Sequence, residues 1–189
     1  MRETEPQALH ERLQKVHVGA QRSAHLVHQL LSLARTETEV TLHRVDIAAL
    51  AREVAREWTP KAVAAGIDLG FEGEDHLQVS GDKLLLREAL NNLIDNALRY
   101  CPRNSSVTLR VRSPSNQVCW VEVEDTGSGV KESNLPKLFE RFWRASELPG
   151  GCGLGLAIVA EIAQRHAGSA HAIPTHPHGL TIRLELPLS

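Results

Sequence analysis

A seven-residue apolar repeat occupies the start of the chain and then stops. Small and apolar residues recur from Leu13 to Ala34 in alternating steps of three and four, which is the pattern of a helix that packs along one seam against other helices. The next segment, Thr36 to Arg44, is polar and β-branched and breaks the repeat. Because a single helix cannot bury such a seam alone, we predict two unequal parts, a partial helical packing element over 1–40 and one globular domain over 41–189.

The globular part mixes helical and strand-like patterns without regular βαβ alternation. We therefore predict an α+β fold, a two-layer α/β sandwich with helices on one face of a mixed sheet. The stretch from Asp125 to Gly151 shows no periodicity. The pattern predicts helices at about Ile47–Ala65, from near Asp82 to before Pro102 and at about Leu154–His166, and strands at Ile67–Phe71, Val107–Arg112, Val118–Glu124 and Thr181–Leu186.

Composition limits the class of protein. The 21 Lys and Arg residues nearly balance the 23 Asp and Glu residues, so electrostatic capture of nucleic acid is not expected. Cys101, Cys119 and Cys152 lack CxxC spacing, which argues against a zinc site or a disulfide framework and favours a reducing, cytoplasmic setting. Because no apolar run approaches the roughly 20 residues that cross a bilayer, we expect no membrane segment in this chain, which is compatible with its being cut from a longer membrane protein.

Two asparagines, Asn92 and Asn96, lie four residues apart on the second predicted helix. Side chains at this spacing share a helical face and can meet one ligand. An amide oxygen suits Mg²⁺, which keeps several waters and takes further ligands from substrate phosphates. The alternative is that both amides bridge neighbouring backbone groups.

Asp125 ends a predicted strand and is followed by Gly127 and Gly129. The glycines let the backbone turn and approach a flat ligand closely. The carboxylate can accept a hydrogen bond from an exocyclic amine, the group by which adenine differs from guanine. A plain Asp-Thr-Gly turn leaving a strand is the alternative.

Three glycines, Gly151, Gly153 and Gly155, precede the third predicted helix. They leave backbone N–H groups available at the positive end of that helix, which suits phosphate oxygens. No Gly-Lys-Ser/Thr follows, and the spacing and preceding strand of a dinucleotide fingerprint are missing, so neither a P-loop nor a Rossmann site is predicted. The order and spacing of the three motifs together favour one nucleotide pocket.

These residues resemble the ATP-binding domain of bacterial sensor histidine kinases, within the superfamily that includes gyrase-type and chaperone-type ATPases. Four family boxes are recognisable, at Leu90–Tyr100, Asp125–Gly129, Leu138–Phe142 and Gly151–Leu156. Leu26–Arg35 also resembles the second helix of the dimerisation and phosphotransfer hairpin of that family. The chain is most similar to the quorum-sensing and metal- or peptide-responsive subgroup. The resemblance implies a histidine kinase-type ATPase fold preceded by a long heptad-patterned helix.

The resemblance also implies roles for the motif residues toward ATP and Mg²⁺. Asn96 would be the Mg²⁺ ligand with Asn92 beside it, and Asp125 would bind the adenine amino group. The other implied nucleotide contacts are Arg99 at the phosphates, Tyr100 at the nucleoside, Gly127 and Gly129 in the pocket wall, and Gly151, Gly153, Leu154 and Gly155 around the phosphates.

The segment Val130–Gly150 would be a lid over the nucleotide. Phe139 and Phe142 would anchor it, and Arg141 or Arg144 would reach the γ-phosphate.

The acceptor of this family is a His followed by Glu and, shortly after, by Pro. His10-Glu11 is the only His-Glu pair in the sequence, yet it lacks the Pro and lies too close to Leu30 for an intervening hairpin. Six other histidines are interpreted as surface or bundle-lining residues, at His17, His25 and His28, or as loop residues without metal-ligand spacing, at His171, His176 and His178. We therefore expect ATP binding without autophosphorylation, with the acceptor outside this chain.

The implied function is the catalytic portion of a two-component sensor histidine kinase. It would transfer the γ-phosphoryl of Mg-ATP to a His and onward to an Asp of a response regulator receiver domain. The full-length protein would be a homodimer, and this chain the cytoplasmic portion of an inner-membrane protein. An ATPase or serine-directed anti-sigma kinase of the same superfamily and a non-catalytic dimerisation module remain as alternatives.

Overall fold

The computed structural model describes residues 42–145 and 152–189. The heptad-patterned helix predicted within 1–40 and Gly151 lie outside these residues. The described elements, in chain order, are β1 (His43–Asp46), α1 (Ile47–Ala65), β2 (Asp68–Gly73), β3 (Gln78–Gly81), α2 (Lys83–Tyr100), β4 (Ser106–Ser115), β5 (Val118–Asp125), a 3₁₀ helix (Glu132–Phe139), α3 (Gly155–Arg165), β6 (Ser169–Pro174) and β7 (Leu180–Pro187).

Five of these strands form one mixed sheet in the order β2-β4-β5-β7-β6. Strand β2 runs parallel to β4, and the other neighbours pair antiparallel. Strands β1 and β3 form a separate antiparallel pair. Alternation along β4 turns Val107, Leu109 and Val111 into the core, where the helices cover this face of the sheet. The predicted two-layer α+β sandwich is confirmed.

Helix α2 contributes much of the buried core, and its second half contributes residues to the candidate site. Asp82 caps its start, because its Oδ1 accepts hydrogen bonds from the backbone N–H groups of Leu84 and Leu85 at 2.8 and 3.2 Å, which satisfies two donors that a helix leaves open. Leu90 and Ile94, each 0% exposed, lie on its inward face. The helix ends at Tyr100, and its C-cap Cys101 is extended, as expected for a residue before proline.

A buried histidine joins the start of α2 to the end of α3. His166 is 2% exposed. Its Nδ1 donates to the Ile162 carbonyl oxygen at 2.7 Å, so its Nε2 is the acceptor for the Asp82 backbone N–H at 3.0 Å. Both ring nitrogens therefore have backbone partners, as buried polar groups require, and the histidine has a structural role.

Helix α1 is tied to α2 along their shared face. The Trp58 indole N–H donates to Asn91 Oδ1 at 2.8 Å, and Arg87 pairs with Glu53 and Glu57. Among the described helices, none is long and apolar enough to span a membrane.

Several boundaries differ from the sequence predictions. Strands β1, β3 and β6 were not predicted, and the interpretation of His171 as a loop residue is wrong, because it lies within β6. The turn between β4 and β5 is shorter than the predicted Ser113–Gln117, since β4 continues through Ser115. The aperiodic stretch after Asp125 contains the 3₁₀ helix. Short strands and a 3₁₀ helix lack the length that makes a periodic pattern visible.

Candidate functional site

A cavity of about 210 Å³ lies between the second half of α2, the end of β5 and the start of α3. The residues that line it come from all three sequence motifs and from segments between them. They are Asn92, Asp95, Asn96, Arg99, Tyr100, Asp125, Ser128, Gly129, Val130, Leu138, Trp143, Arg144, Ala145, Cys152, Gly153, Gly155, Leu156 and Leu180.

Most of the site residues predicted from sequence meet in this one cavity. Those that line it are Asn92, Asn96, Arg99, Tyr100, Asp125, Gly129, Arg144, Gly153 and Gly155. Three others lie elsewhere. Arg141 is outside the lining and sits 3.9 Å from the Glu161 carboxylate. Leu154 is wholly buried in the core, and a Cβ on Gly127 would lie 2.9 Å from Asp125 Oδ1.

The Asp125 carboxylate is held in place at the end of β5. Its Oδ1 accepts a hydrogen bond from the Gly127 backbone N–H at 2.8 Å, and the residue is 9% exposed. Burial raises the pKa of Asp125, while hydrogen bonds from the backbones of Gly127 and Leu180 and from Cys101 oppose that rise. Such a desolvated acceptor gains from a ligand that brings a donor.

Asn92 and Asn96 face the cavity from one side of α2, as their spacing predicts. The Asn92 side-chain amide nitrogen donates to the backbone and side-chain oxygens of Glu88 at 2.9 and 3.1 Å. This is the backbone bridge that the sequence left as an alternative. For Asn92 the bridge and the cavity position occur together, since the amide nitrogen serves Glu88 and the amide oxygen is the atom of this side chain that can accept or ligate.

Arg99 is positioned by Asp95, a residue that the sequence motifs did not single out. Asp95 accepts hydrogen bonds from Arg99 at 2.7 Å and from Lys61 of α1 at 2.8 Å. Burial alone would raise the pKa of Asp95, but the Lys61 and Arg99 hydrogen bonds outweigh it, so the pKa is lowered. The carboxylate therefore stays ionised and sets the direction of the Arg99 guanidinium.

The segment after the 3₁₀ helix returns to the glycines before α3. The Phe142 backbone N–H donates to the Gly153 carbonyl oxygen at 2.8 Å. Phe139 packs against the core, as predicted. The Phe142 side chain is 66% exposed, so the expectation that this ring anchors the segment is wrong; its backbone makes the contact instead.

The loop between β6 and β7 supports the loop after Asp125. A Cβ on Gly129 would lie 2.8 Å from the Gly179 carbonyl oxygen, closer than real side chains approach, and Gly129 has φ +67°. His178 Nδ1 lies 3.2 Å from the Gly127 carbonyl oxygen. Glycine is required at Gly129 on both counts.

The structure adds lining residues that sequence reasoning missed. Leu180, Trp143 and Cys152 reach the cavity from β7 and from the two arms of the segment before α3. Asp95 lies between the two predicted asparagines in the sequence. A charged residue at that place in the motif was the signal by which it could have been predicted as a site residue. No comparable signal marks Trp143 or Leu180, since their positions depend on chain segments that meet only in the fold.

The cavity lining combines groups of opposite charge. It includes the buried carboxylate of Asp125, the cations Arg99 and Arg144, and the positive start of α3. Among residues 42–145 and 152–189, no three His, Cys, Asp or Glu side chains cluster as a metal site. The arrangement suits a flat, amine-bearing ligand with an anionic tail.

The family model for "Histidine kinase-, DNA gyrase B-, and HSP90-like ATPase" matches residues 81–189. The "Swarming motility regulation sensor protein RssA" of Serratia marcescens is 35% identical over 169 residues, which cover 86% of this chain and 35% of that protein. This chain thus spans about a third of the length of that curated relative.

Two solved structures are similar to this chain. Full-length ShkA in complex with AMPPNP matches with a TM-score of 0.79 and 27% identity, covering 100% of this chain and 40% of that one. The histidine kinase ThkA in complex with the response regulator protein TrrA matches with a TM-score of 0.80 and 20% identity, covering 99% and 53%. At that identity the ThkA likeness shows the fold.

Proposed function

Because this chain belongs to the family of histidine kinase-, DNA gyrase B- and HSP90-like ATPases, we propose that its cavity binds Mg-ATP with the adenine at Asp125 and the phosphates at the start of α3. Within that family it is a sensor histidine kinase catalytic domain. One observation carries the proposal: the buried acceptor, the two asparagines and the helix end predicted from separate motifs line a single cavity.

Adenine recognition rests on the Asp125 carboxylate. Gly127 already occupies one carboxylate oxygen, which holds the group in one orientation toward a ligand amine. An exocyclic amino group would donate to it, whereas the corresponding carbonyl of guanine would face it with a second acceptor. The pocket therefore favours ATP over GTP.

The phosphates would lie against the backbone N–H groups from Gly153 to Gly155, with Arg99 and Arg144 neutralising their charge. Phosphoryl transfer depends chiefly on positioning and on electrostatic stabilisation. Asp95 contributes by holding Arg99, and the backbone contact between Phe142 and Gly153 holds the segment that would cover the nucleotide.

The residues present fit a magnesium ion. Asn92 and Asn96 line the cavity together, and amide oxygens are hard ligands that suit Mg²⁺ alongside water and phosphate oxygens. Asn96 would hold the ion with Asn92 beside it, and bound Mg²⁺ would supply charge neutralisation of the phosphates.

The wider roles follow from the relatives. The γ-phosphoryl would pass to a His outside this chain and then to an Asp of a response regulator receiver domain. The full protein would act as a homodimer, with this chain as the cytoplasmic portion of an inner-membrane protein. ShkA, which was solved with AMPPNP, and ThkA, which was solved with a response regulator, support the nucleotide and the partner.

Calorimetric titration of the chain with Mg-ATP tests the proposal. Asp125→Asn is expected to weaken ATP binding by about 10- to 100-fold, since a hydrogen bond to a charged acceptor contributes roughly 1.5–3 kcal/mol. Glu124→Gln is the matched control, because it removes the charge of the neighbouring residue in the same way. The Glu124 carboxylate pairs with Arg110 at 2.8 Å and does not line the cavity. Equal affinities for both variants and the unchanged chain would refute the proposed site.

Incubation with γ-labelled ATP and Mg²⁺ tests the acceptor separately. We expect the chain to bind ATP without acquiring stable label on a histidine. Acid-labile, base-stable label on any histidine of this chain would show that the acceptor lies within it.

A further inference from the structure

Cys101 lies directly behind the adenine end of the proposed site. It is the C-cap residue that follows α2 and is partly buried. It does not line the cavity, and the function proposed above assigns it no part. Its surroundings nevertheless consist of the residues that would recognise the base.

The Cys101 thiol shares a hydrogen-bond network with Asp125 and Gly127. It donates to the Asp125 carboxylate, which also accepts from the Gly127 backbone N–H at 2.8 Å. The packing agrees, since a Cβ on Gly127 would lie 2.9 Å from Asp125 Oδ1 and 3.2 Å from Cys101 Sγ. The carboxylate and the thiol therefore flank the same glycine on one side.

The thiol is present as the neutral S–H donor. Burial, followed by the charge of Asp125, raises the pKa of Cys101 to about 12. Within the same network, the groups that act on Asp125 are of two kinds. Burial and the Glu124 charge raise the pKa of Asp125, and hydrogen bonds from Gly127, Leu180 and Cys101 lower it.

We propose that Cys101 is a positioning residue for adenine recognition, in which its S–H group fixes the Asp125 carboxylate as the acceptor for the exocyclic amine. The inference rests on the proposed function, because it deepens the role of Asp125. Cys101 acts through Asp125 and does not touch the nucleotide. The thiol adds a side-chain donor to the backbone donors of Gly127 and Leu180 that hold this carboxylate.

The test compares Cys101→Ala, which removes the donor, with Cys101→Ser, which keeps an O–H donor at nearly the same place. Cys119→Ala is the control for loss of a buried thiol, since Cys119 is a fully buried β5 residue outside the cavity lining. ATP affinity is measured by calorimetry over a series of pH values. The titration of the ATP phosphates is common to all four proteins and cancels between them.

We expect Cys101→Ala to weaken ATP binding about 3- to 10-fold, the range of one net hydrogen bond. Loss of the donor raises the pKa of Asp125 further, so the carboxylate becomes protonated at a higher pH. As the pH is lowered, this variant is therefore expected to lose ATP binding before the unchanged chain does. Cys101→Ser and Cys119→Ala are expected to keep the unchanged profile. Carbon-13 NMR of the Asp125 carboxyl group reports its titration directly, without nucleotide.

The outcomes separate the two proposals. Failure of the unchanged chain to bind ATP, or an Asp125→Asn variant that binds as well, would overturn the proposed function. If Asp125→Asn loses ATP binding while Cys101→Ala keeps the unchanged pH profile and carboxyl titration, the role of Cys101 alone is overturned. A Cys101→Ser variant that loses affinity as Cys101→Ala does would assign the effect to side-chain shape and overturn the donor role.

Discussion

The backbone N–H of Phe142 donates a hydrogen bond to the Gly153 carbonyl oxygen, with 2.8 Å between the two heavy atoms. This bond joins the segment that follows the 3₁₀ helix, part of which lines the cavity, to the glycines that open α3. A Cβ on Gly153 would lie 2.6 Å from the Phe142 carbonyl carbon, and Gly153 has φ +73°. The junction therefore depends on a residue without a side chain.

Substitution of Gly153 tests this junction. Gly153→Ala is expected to weaken Mg-ATP binding at least about 10-fold, because the new methyl group displaces Phe142 and because a positive φ costs a non-glycine residue roughly 1 kcal/mol or more. Gly70→Ala is the control, since a Cβ there meets nothing within 4 Å. Comparable affinity for the two variants in calorimetry would contradict the importance of the contact.

The desolvated carboxylate of Asp125 is expected to cost stability in the absence of nucleotide. Because burial raises the pKa of Asp125, its contribution to stability is full below the unfolded pKa and is lost as pH rises through the folded pKa. Asp125→Asn should therefore melt at a higher temperature than the unchanged chain near neutral pH, by about 2–4 °C for each kcal/mol. This advantage should shrink as the pH is lowered. Thermal melts without nucleotide measure it, and an advantage independent of pH would contradict the assignment.

The two cavity asparagines are expected to act through magnesium. Asn96→Ala should lose most of the increase in ATP affinity that Mg²⁺ produces, whereas affinity measured in EDTA should change little. Asn91→Ala is the control on the same helix, because Asn91 accepts from Trp58 instead of lining the cavity. A Mg²⁺ effect retained in Asn96→Ala would assign the ion to other residues.

Asp95 is expected to serve both stability and ATP binding. Replacement by Ala removes the partner of Arg99 and Lys61, which should lower the free energy of unfolding by about 1–3 kcal/mol and weaken ATP binding through Arg99. Because the pKa of Asp95 is lowered, its contribution is present above the unfolded pKa and lost as pH falls through the folded pKa. Denaturant melts at neutral and acid pH measure it.

The control for Asp95 is Glu57→Gln, because Arg87 still pairs with Glu53 in that variant. The Glu57 side chain is 53% exposed, so losing its charge should lower the free energy of unfolding by less than about 1 kcal/mol. Equal losses in Asp95→Ala and Glu57→Gln would show that Asp95 has no special role.

The elements that the sequence predicted are those with a long periodic pattern or a clear end signal. Helix α2 was located by its apolar face and by Asp82, and β4 and β5 by alternation. Strand β3, Gln78–Gly81, is too short to show alternation. Strand β6 contains His171 and Pro174, and proline is tolerated there because β6 lies at the edge of the sheet.

The sequence predicted the polar residues of the candidate site better than the other residues that line the cavity. Asp125 and Asn96 belong to motifs whose order along the chain was enough to bring them together. Trp143 and Leu180 come from an aperiodic segment and from a strand that pairs with β5 far along the sequence, so their places follow from tertiary structure alone. Arg141 and Arg144 were equivalent candidates in the sequence, and packing separated them.

The contact between His166 and Asp82 lies at the opposite end of α2 and α3 from the nucleotide cavity. The two helices would hold different parts of the proposed ligand, the asparagines on one and the phosphate-binding start of the other, and the buried imidazole bonds their far ends together. A histidine that does not line the cavity thus helps to position both halves of the proposed nucleotide site.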